Sequence, residues 1–393
     1  MSDKKKHSIV APSAASRWLA CPPSALLAEK VGKDGGSIYA DEGSLAHRLA
    51  ELWLLNELHV RNTGNRLAGA EADYLEARKN PLFYEDMTNE VLVYTDHVMG
   101  LLKDAGKGAR MYVEAEYPLF YKPDDNGTID SLIFGGADET MYVTDLKFGK
   151  GVAVNAKNNK QLLIYAINAY DKLRQDHKIK RVVMTIVQPR RDSISSWTVD
   201  VEDMEIERDI IEATARKAIK GEGKFKPGEH CRFCPVKPRC RALKDAAVET
   251  SDKWVESPDL LTDAEIARLL GSVDVIADWI TALKKYALER AVGGVRFEGY
   301  KLVAGTSRRK ITDEKALYKA LISAGYEGAL FKRSSFVTLG ELEKVIDKED
   351  FKTLCLPYIA KPDVPPVLVE ATDPREEYGI AKAVDDFAEY VEQ

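Results

Sequence analysis

The chain predicts an α/β core over residues 1–245, and three observations predict it. Stretches with apolar residues at helical spacing come first. A block of period-two alternation follows, and helix and strand then alternate up to a run of three cysteines. At 393 residues the chain exceeds one ordinary domain. Beyond the core it reads as a helical segment, 246–297, and a small helical and α+β C-terminal region, 298–393.

Residues 41–58 read as a helix. Asp41 or Ser44 can cap it, and Leu45, Leu49, Leu52 and Leu55 recur on one face. A second helix is predicted at 84–104. Strands follow at 111–119, 128–134 and 141–148, with Asp124-Asp125-Asn126-Gly127 as a hairpin turn. The pattern returns to helix at 158–173. A strand at 181–188, a turn at 189–195 and a return strand at 196–201 come next, then a helix at 204–219 ending in Gly221-Glu222-Gly223. Residues 262–292 are strongly helical and read as a packing helix. A strand is expected at 299–303, and 357–366 is proline-rich.

Hydrophobic content of 45% supports a core. Net charge of −6 and a pI near 5.7 exclude an all-over basic coat but leave room for a local basic channel. No run of 18 apolar residues exists, and the start, Met1-Ser2-Asp3-Lys4, lacks the apolar stretch of a signal peptide, so the protein is expected in the cytoplasm without a membrane partner. Five cysteines, an odd number in ligand-like spacing, fit a reducing compartment.

Asp145 and Lys147 stand two apart on a strand and share a face with Met141 and Val143. A carboxylate and an ammonium on an apolar face are costly unless both are used. Asp130 lies on the preceding strand, so pairing would let Asp130 and Asp145 converge as hard oxygen ligands for Mg²⁺ or Mn²⁺. Such a cation would lower the pKa of a water and stabilise charge on a phosphate, with Lys147 orienting the water or neutralising the oxyanion. Taken alone, an Asp-x-Lys pair at a strand end is equally a structural ion pair. Gln161 and Tyr165, at i and i+4 of the next helix, can hold Lys147 or a phosphate, or simply belong to an amphipathic helix. His47 lies on the first helix among apolar neighbours, either as a core residue or as a metal ligand. Of Glu114 and Glu116, Glu116 is the expected extra carboxylate.

Cys231, Cys234 and Cys240 form C-x2-C-x5-C, with Cys21 far upstream. Four thiolates can hold an iron–sulfur cluster or zinc. The absence of a second C-x2-C knuckle favours a [4Fe–4S] cluster that staples the N-terminus to the end of the core. Arg232, Lys237 and Arg239 beside it, Arg190 and Arg191 after a strand, and Arg308 and Arg309 further on are candidate DNA contacts, with solvated turns as the bland alternative. Trp18, Trp197 and Trp279 read as core rather than base-stacking residues. Cys355 reads as a small buried hydrophobe.

In this order and spacing, Ser16-Arg17-Trp18-Leu19-Ala20-Cys21, Asp41-Glu42-Gly43-Ser44-Leu45-Ala46-His47, Gly127-Thr128-Ile129-Asp130, Asp145-Leu146-Lys147, Gln161 with Tyr165 and the cysteine run resemble the PD-(D/E)XK nuclease superfamily. The likeness is to its RecB/AddB/Cas4-like branch with an iron–sulfur cluster, and within that to the DUF2800 family of phage and prophage proteins. The resemblance implies a mixed central sheet flanked by helices and a four-cysteine [4Fe–4S] staple. It also implies catalytic roles for Asp130, Asp145, Lys147, Gln161 and Tyr165. Metal ligands would come from His47, Asp130, Asp145, the Leu146 carbonyl and Glu116. The activity implied is a Mg²⁺- or Mn²⁺-dependent deoxyribonuclease, an exonuclease acting in phage replication or recombination. Its partners would be DNA and a phage single-strand-binding or annealing protein. A structure-specific endonuclease and a non-catalytic DNA-binding module are the alternatives. No G-x4-G-K-[ST] run is present, so a stand-alone nuclease, or one partnered with a separate protein, is expected.

Overall fold

The computed structural model describes residues 8–32, 38–151, 153–252, 263–305, 310–328, 338–360 and 367–377. The chain divides into two compact units, Met1–Trp279 and Ile280–Gln393. Arg308 and Arg309 lie outside the described residues.

The first unit opens with two short helices, α1 (Ala15–Ala20) and α2 (Ser24–Val31). Three further helices follow: α3 (Ile38–Thr63), α4 (Ala70–Ala77) and α5 (Asp86–Asp104). Strands β1 (Arg110–Leu119), β2 (Lys122–Phe134) and β3 (Thr140–Leu146) lead into α6 (Lys160–Leu173). Then come β4 (Arg181–Gln188), β5 (Ser193–Asp200) and α7 (Val201–Lys220). The first unit also takes α8 (Arg241–Asp252) and the start of α9 (Asp263–Val292). The division falls inside α9, within the segment 246–297 read as a separate helical element.

The five strands form one sheet in the order β1-β2-β3-β4-β5. β1, β2 and β3 are antiparallel neighbours, β3 and β4 are parallel across α6, and β5 returns antiparallel. The sheet is therefore mixed, as expected, and both faces are covered. On one face Leu132, Phe134, Met141, Val143, Met184 and Ile186 pack with Trp18 and with α6 and α7. On the other, Met111, Ile133, Leu146 and Val187 pack with Leu45, Leu49, Val91 and Val98 of α3 and α5. β5 alternates half-buried and exposed positions, the pattern of an edge strand with one wet face.

Two expectations are corrected. Asp124-Asp125-Asn126-Gly127 is not a hairpin turn; it runs inside β2, and the turn lies at Phe120-Tyr121, between Leu119 and its partner Lys122. Gly127 is required there for close approach instead, since a Cβ would stand 3.2 Å from the Tyr165 ring and 3.3 Å from Leu119. The first helix is also longer than 41–58, and α4 was not foreseen: its apolar residues are few and none is buried.

The second unit has its own core of Leu317, Leu321, Leu342, Ile346 and Cys355. It carries β6 (Tyr300–Val303), β7 (Lys310–Ile311), α10 (Glu314–Ser323), α11 (Leu339–Val345) and α12 (Lys348–Asp350). Two short strands complete it, β8 (Ile359–Ala360) and β9 (Val367–Glu370). β6 pairs with β9, and β7 with β8. Cys355 is fully buried among apolar side chains, as its neighbours predict.

Candidate functional site

The carboxylate–lysine constellation forms at the carboxyl end of β3. The β2–β3 register pairs Ser131 with Thr144, so Asp130 and Asp145 are the next opposed pair. There the ladder ends on a side chain: the Leu146 N–H donates to Asp130 Oδ2 at 2.7 Å. Leu146 thus enters the site through its backbone, with its side chain buried in the core against α3 and α5. The Lys147 N–H donates to the Val187 carbonyl at 2.9 Å, which fixes the strand end against β4.

Asp145 is only 2% exposed. Its Oδ2 faces Lys147 Nζ at 2.8 Å, and its Oδ1 accepts from Gln161 Nε2 at 3.2 Å. Lys147 Nζ also donates to Gln161 Oε1 at 3.1 Å, and Gln161 Nε2 reaches the Tyr165 hydroxyl at 3.2 Å. One glutamine amide therefore holds both members of the ion pair. Its own position is set by the Asn159 side chain, which accepts from the N–H groups of Gln161 and Leu162 at the start of α6. Burial pushes the Asp145 carboxyl above the usual carboxylate range, and Asp130 adds to this; Lys147 pulls the other way. Burial also opposes charge on Lys147, but Asp145 and Asp130 outweigh it and raise its pKa.

His47 projects from α3 into the same region. Its Nδ1 lies 3.4 Å from Asp130 Oδ2 and 3.9 Å from Glu114 Oε1. Burial opposes the imidazolium, yet hydrogen bonds to Asp130 and Glu114 prevail and raise its pKa to about 10. His47, Glu114 and Asp130 each offer a ligand atom within 4.8 Å of the others. One nitrogen and two carboxylate oxygens at this spacing suit a divalent cation such as Mn²⁺ or Mg²⁺.

Glu116, the expected extra carboxylate, is not in this group. It is exposed, pairs with Thr128 and accepts from Asn126 Nδ2 at 3.4 Å. Glu114 stands in its place. The residues flanking Glu114 pair with those flanking Asp130, so these two oppose each other across β1 and β2. Glu114 holds φ at +49°, a left-handed backbone that costs a non-glycine residue on the order of 1 kcal/mol or more and is held by its surroundings. The signal for Glu114 was in the sequence, but choosing between two glutamates on one face needs the register, which the misplaced turn hid.

The four expected cysteines Cys21, Cys231, Cys234 and Cys240 line one cavity, joined by Leu27, Val236 and Leu243. Cys21 ends α1, its N–H donating to the Arg17 carbonyl at 2.8 Å. The other three sit on tight turns linked by N–H donation from Cys234 to Cys231, from Lys237 to Cys234 and from Cys240 to Lys237. Burial, then the nearby thiols, push Cys231 and Cys234 up, while the Arg17 guanidinium pulls Cys234 down. Arg17 is fixed by donating to the Ser24 carbonyl at 2.7 Å.

The basic candidates separate. Arg190 turns inward: its side chain is 13% exposed, 2.9 Å from Glu42 and 3.8 Å from Glu90, with its guanidinium over the rings of Tyr84 and Phe148. It joins α3, α5 and the β4–β5 turn rather than meeting phosphate. Arg191 is exposed and donates to the Lys150 carbonyl at 2.8 Å. Arg232 and Arg239 are exposed beside the cysteines, and Lys237 Nζ donates to the Arg232 carbonyl. Trp18 is core, its indole N–H bonded to the Ala11 carbonyl, and Trp197 packs against the same core.

These features define an α/β protein whose mixed sheet gathers a histidine, three carboxylates and a lysine at its strand ends. The chain belongs to the DUF2800 family, described as a protein of unknown function, whose model matches residues 7–376. A solved structure described as "Crystal structure of SSO0001" is similar over 49% of this chain and 85% of that one, at 14% identity and a TM-score of 0.24. Among the described residues no helix is long and apolar enough to cross a membrane.

Proposed function

We propose that this protein is a Mg²⁺- or Mn²⁺-dependent deoxyribonuclease of the PD-(D/E)XK type, an exonuclease that hydrolyses DNA from its ends in phage replication or recombination. One observation carries the reading: Asp130 and Asp145 oppose each other across paired strands, with Lys147 2.8 Å from Asp145 and His47 3.4 Å from Asp130.

The donor set fits the ion. His47, Glu114 and Asp130 would hold it, with Asp145 and the Leu146 carbonyl as further hard ligands. Once bound, a divalent cation offsets charge on the phosphate and makes water more acidic. Lys147 Nζ then holds the attacking water and meets the charge that grows on the phosphate oxygens. Gln161 keeps that ammonium in place, and Tyr165 keeps Gln161 in place. The water oxygen bonds to phosphorus and gives up one proton, one P–O ester bond breaks, and the departing sugar oxygen takes up one proton, so that a single water is added across the broken bond.

The four cysteines would hold a [4Fe–4S] cluster that ties the N-terminus to the end of the core. Tetrahedral zinc held by the same four thiolates is the alternative.

Cleavage of end-labelled linear single- and double-stranded DNA with Mg²⁺ or Mn²⁺ tests the proposal. The wild-type protein should cleave and Asp145→Ala should not. Equal cleavage by both proteins, or none by iron-loaded wild type, would sink it.

A further inference from the structure

The C-x2-C spacing has a geometric consequence. With Cys231 and Cys234 both turned toward one cavity, the tight turn between them presents Arg232 and Phe233 outward. Phe233 is 74% exposed, the highest exposure among the large apolar residues described apart from Tyr39. A bare phenyl ring gains nothing from water, and this one is held on a turn closed by a Cys234 N–H to Cys231 carbonyl bond at 3.1 Å. The Arg232 guanidinium lies 5.8 Å from its centroid.

The surroundings supply charge. Between Lys224 and Lys244 the chain carries seven lysines and arginines and one acid, Glu229, in a protein of net charge −6; Asp278 lies 4.0 Å from Arg232 and Asp245 2.8 Å from Lys244, which leaves the other cations in excess. Lys224, Lys226, Arg232, Arg239, Arg241 and Lys244 are exposed. A rigid exposed ring within a basic surface is the combination that binds unpaired bases: phosphates meet the cations, and a base stacks on the ring. A duplex offers the phosphates but covers its base faces.

We infer that the cysteine run is a reader of single-stranded DNA, in which Phe233 stacks on an unpaired base while Arg232 and its basic neighbours hold the flanking phosphates. The choice of DNA as ligand rests on the proposed function; the strand preference and the ring's role are additional to it.

The test is fluorescence anisotropy on the full-length, cluster-loaded protein without added divalent cation, so that nothing is cleaved. The probes are a labelled oligothymidylate of about 20 nucleotides and a duplex of equal length. Phe233→Ala and Phe233→Leu should each weaken single-strand binding roughly tenfold and duplex binding less than about twofold, whereas Phe233→Trp should bind as wild type does. Visible absorbance checks that each variant keeps its cluster. Arg232→Ala should weaken both probes and flatten the salt dependence. If Phe233→Leu binds oligothymidylate as tightly as wild type does, the inference is overturned while the nuclease reading stands. It is overturned too if the ring substitutions weaken both probes equally, or if wild type binds neither probe. Loss of the nuclease reading would appear separately, as cleavage insensitive to Asp145→Ala.

Discussion

The carboxylate–lysine site and the four-cysteine site gather their donors by opposite means. In the first, the strands do the gathering: register opposes Asp130 to Asp145 and to Glu114, and the charges are matched in place by Lys147, His47 and Gln161. In the second, donors 210 positions apart in sequence meet on short turns, and burial works against the thiolate forms of Cys231 and Cys234; Arg17 is the cation that counters it at Cys234. The contrast teaches that the first site keeps its shape before a cation arrives. On the proposed reading the second needs its inorganic centre, because only a metal repays deprotonating buried thiols.

The largest effect expected from that contrast is at the cysteines. Cys21→Ser should strip iron from the protein and cost several kcal/mol of stability, read as lost visible absorbance and a lower melting temperature. Asp145→Ala should do the reverse: cleavage falls about 10³-fold or more while the fold survives, because Gln161 and Asp130 remain to face Lys147. A variant that unfolds as readily as Cys21→Ser would erase the distinction. Next in size is Arg190→Ala, which leaves Glu42 and Glu90 without their shared cation in a mostly buried setting. A loss of about 3 kcal/mol in urea unfolding is expected. The smallest effect is on pH. His47 is about 10 when folded and 6.5 as an ordinary imidazole, so the folded protein keeps a proton that the unfolded chain releases between these values. The stability it contributes is complete below about 6.5 and is lost as pH rises through about 10. Melting temperatures in chelator should decline over that window, and His47→Ala should flatten the decline. Divalent-cation affinity should move the other way, rising with pH as the competing proton leaves.

Much of this was legible in the chain. Period-two alternation marked the first three strands, and Asp130, Asp145, Lys147, Gln161, Tyr165, His47 and the four cysteines were singled out as candidates by residue type, spacing and the family resemblance. What escaped depended on long-range geometry. Asp124-Asp125-Asn126-Gly127 has strong turn chemistry, but β2 overrides it, because Gly127 is needed where Tyr165 and Leu119 crowd the strand. That one misplacement hid the Glu114–Asp130 opposition and so favoured the wrong glutamate. Arg190 looked like a surface cation because its partners, Glu42 and Glu90, are a hundred or more positions away; charge at a turn carries no sign of which way it points.

The shared cavity of Cys21 and Cys240 also has a timing consequence. Cys240 leaves the ribosome some 219 residues after Cys21. At ordinary synthesis rates the wait is roughly 10–40 s. Through that interval the first thiol stands without its partners, so the proposed four-cysteine centre would be completed only after the sheet between them has been made. Its maturation would thereby report that the whole core has emerged.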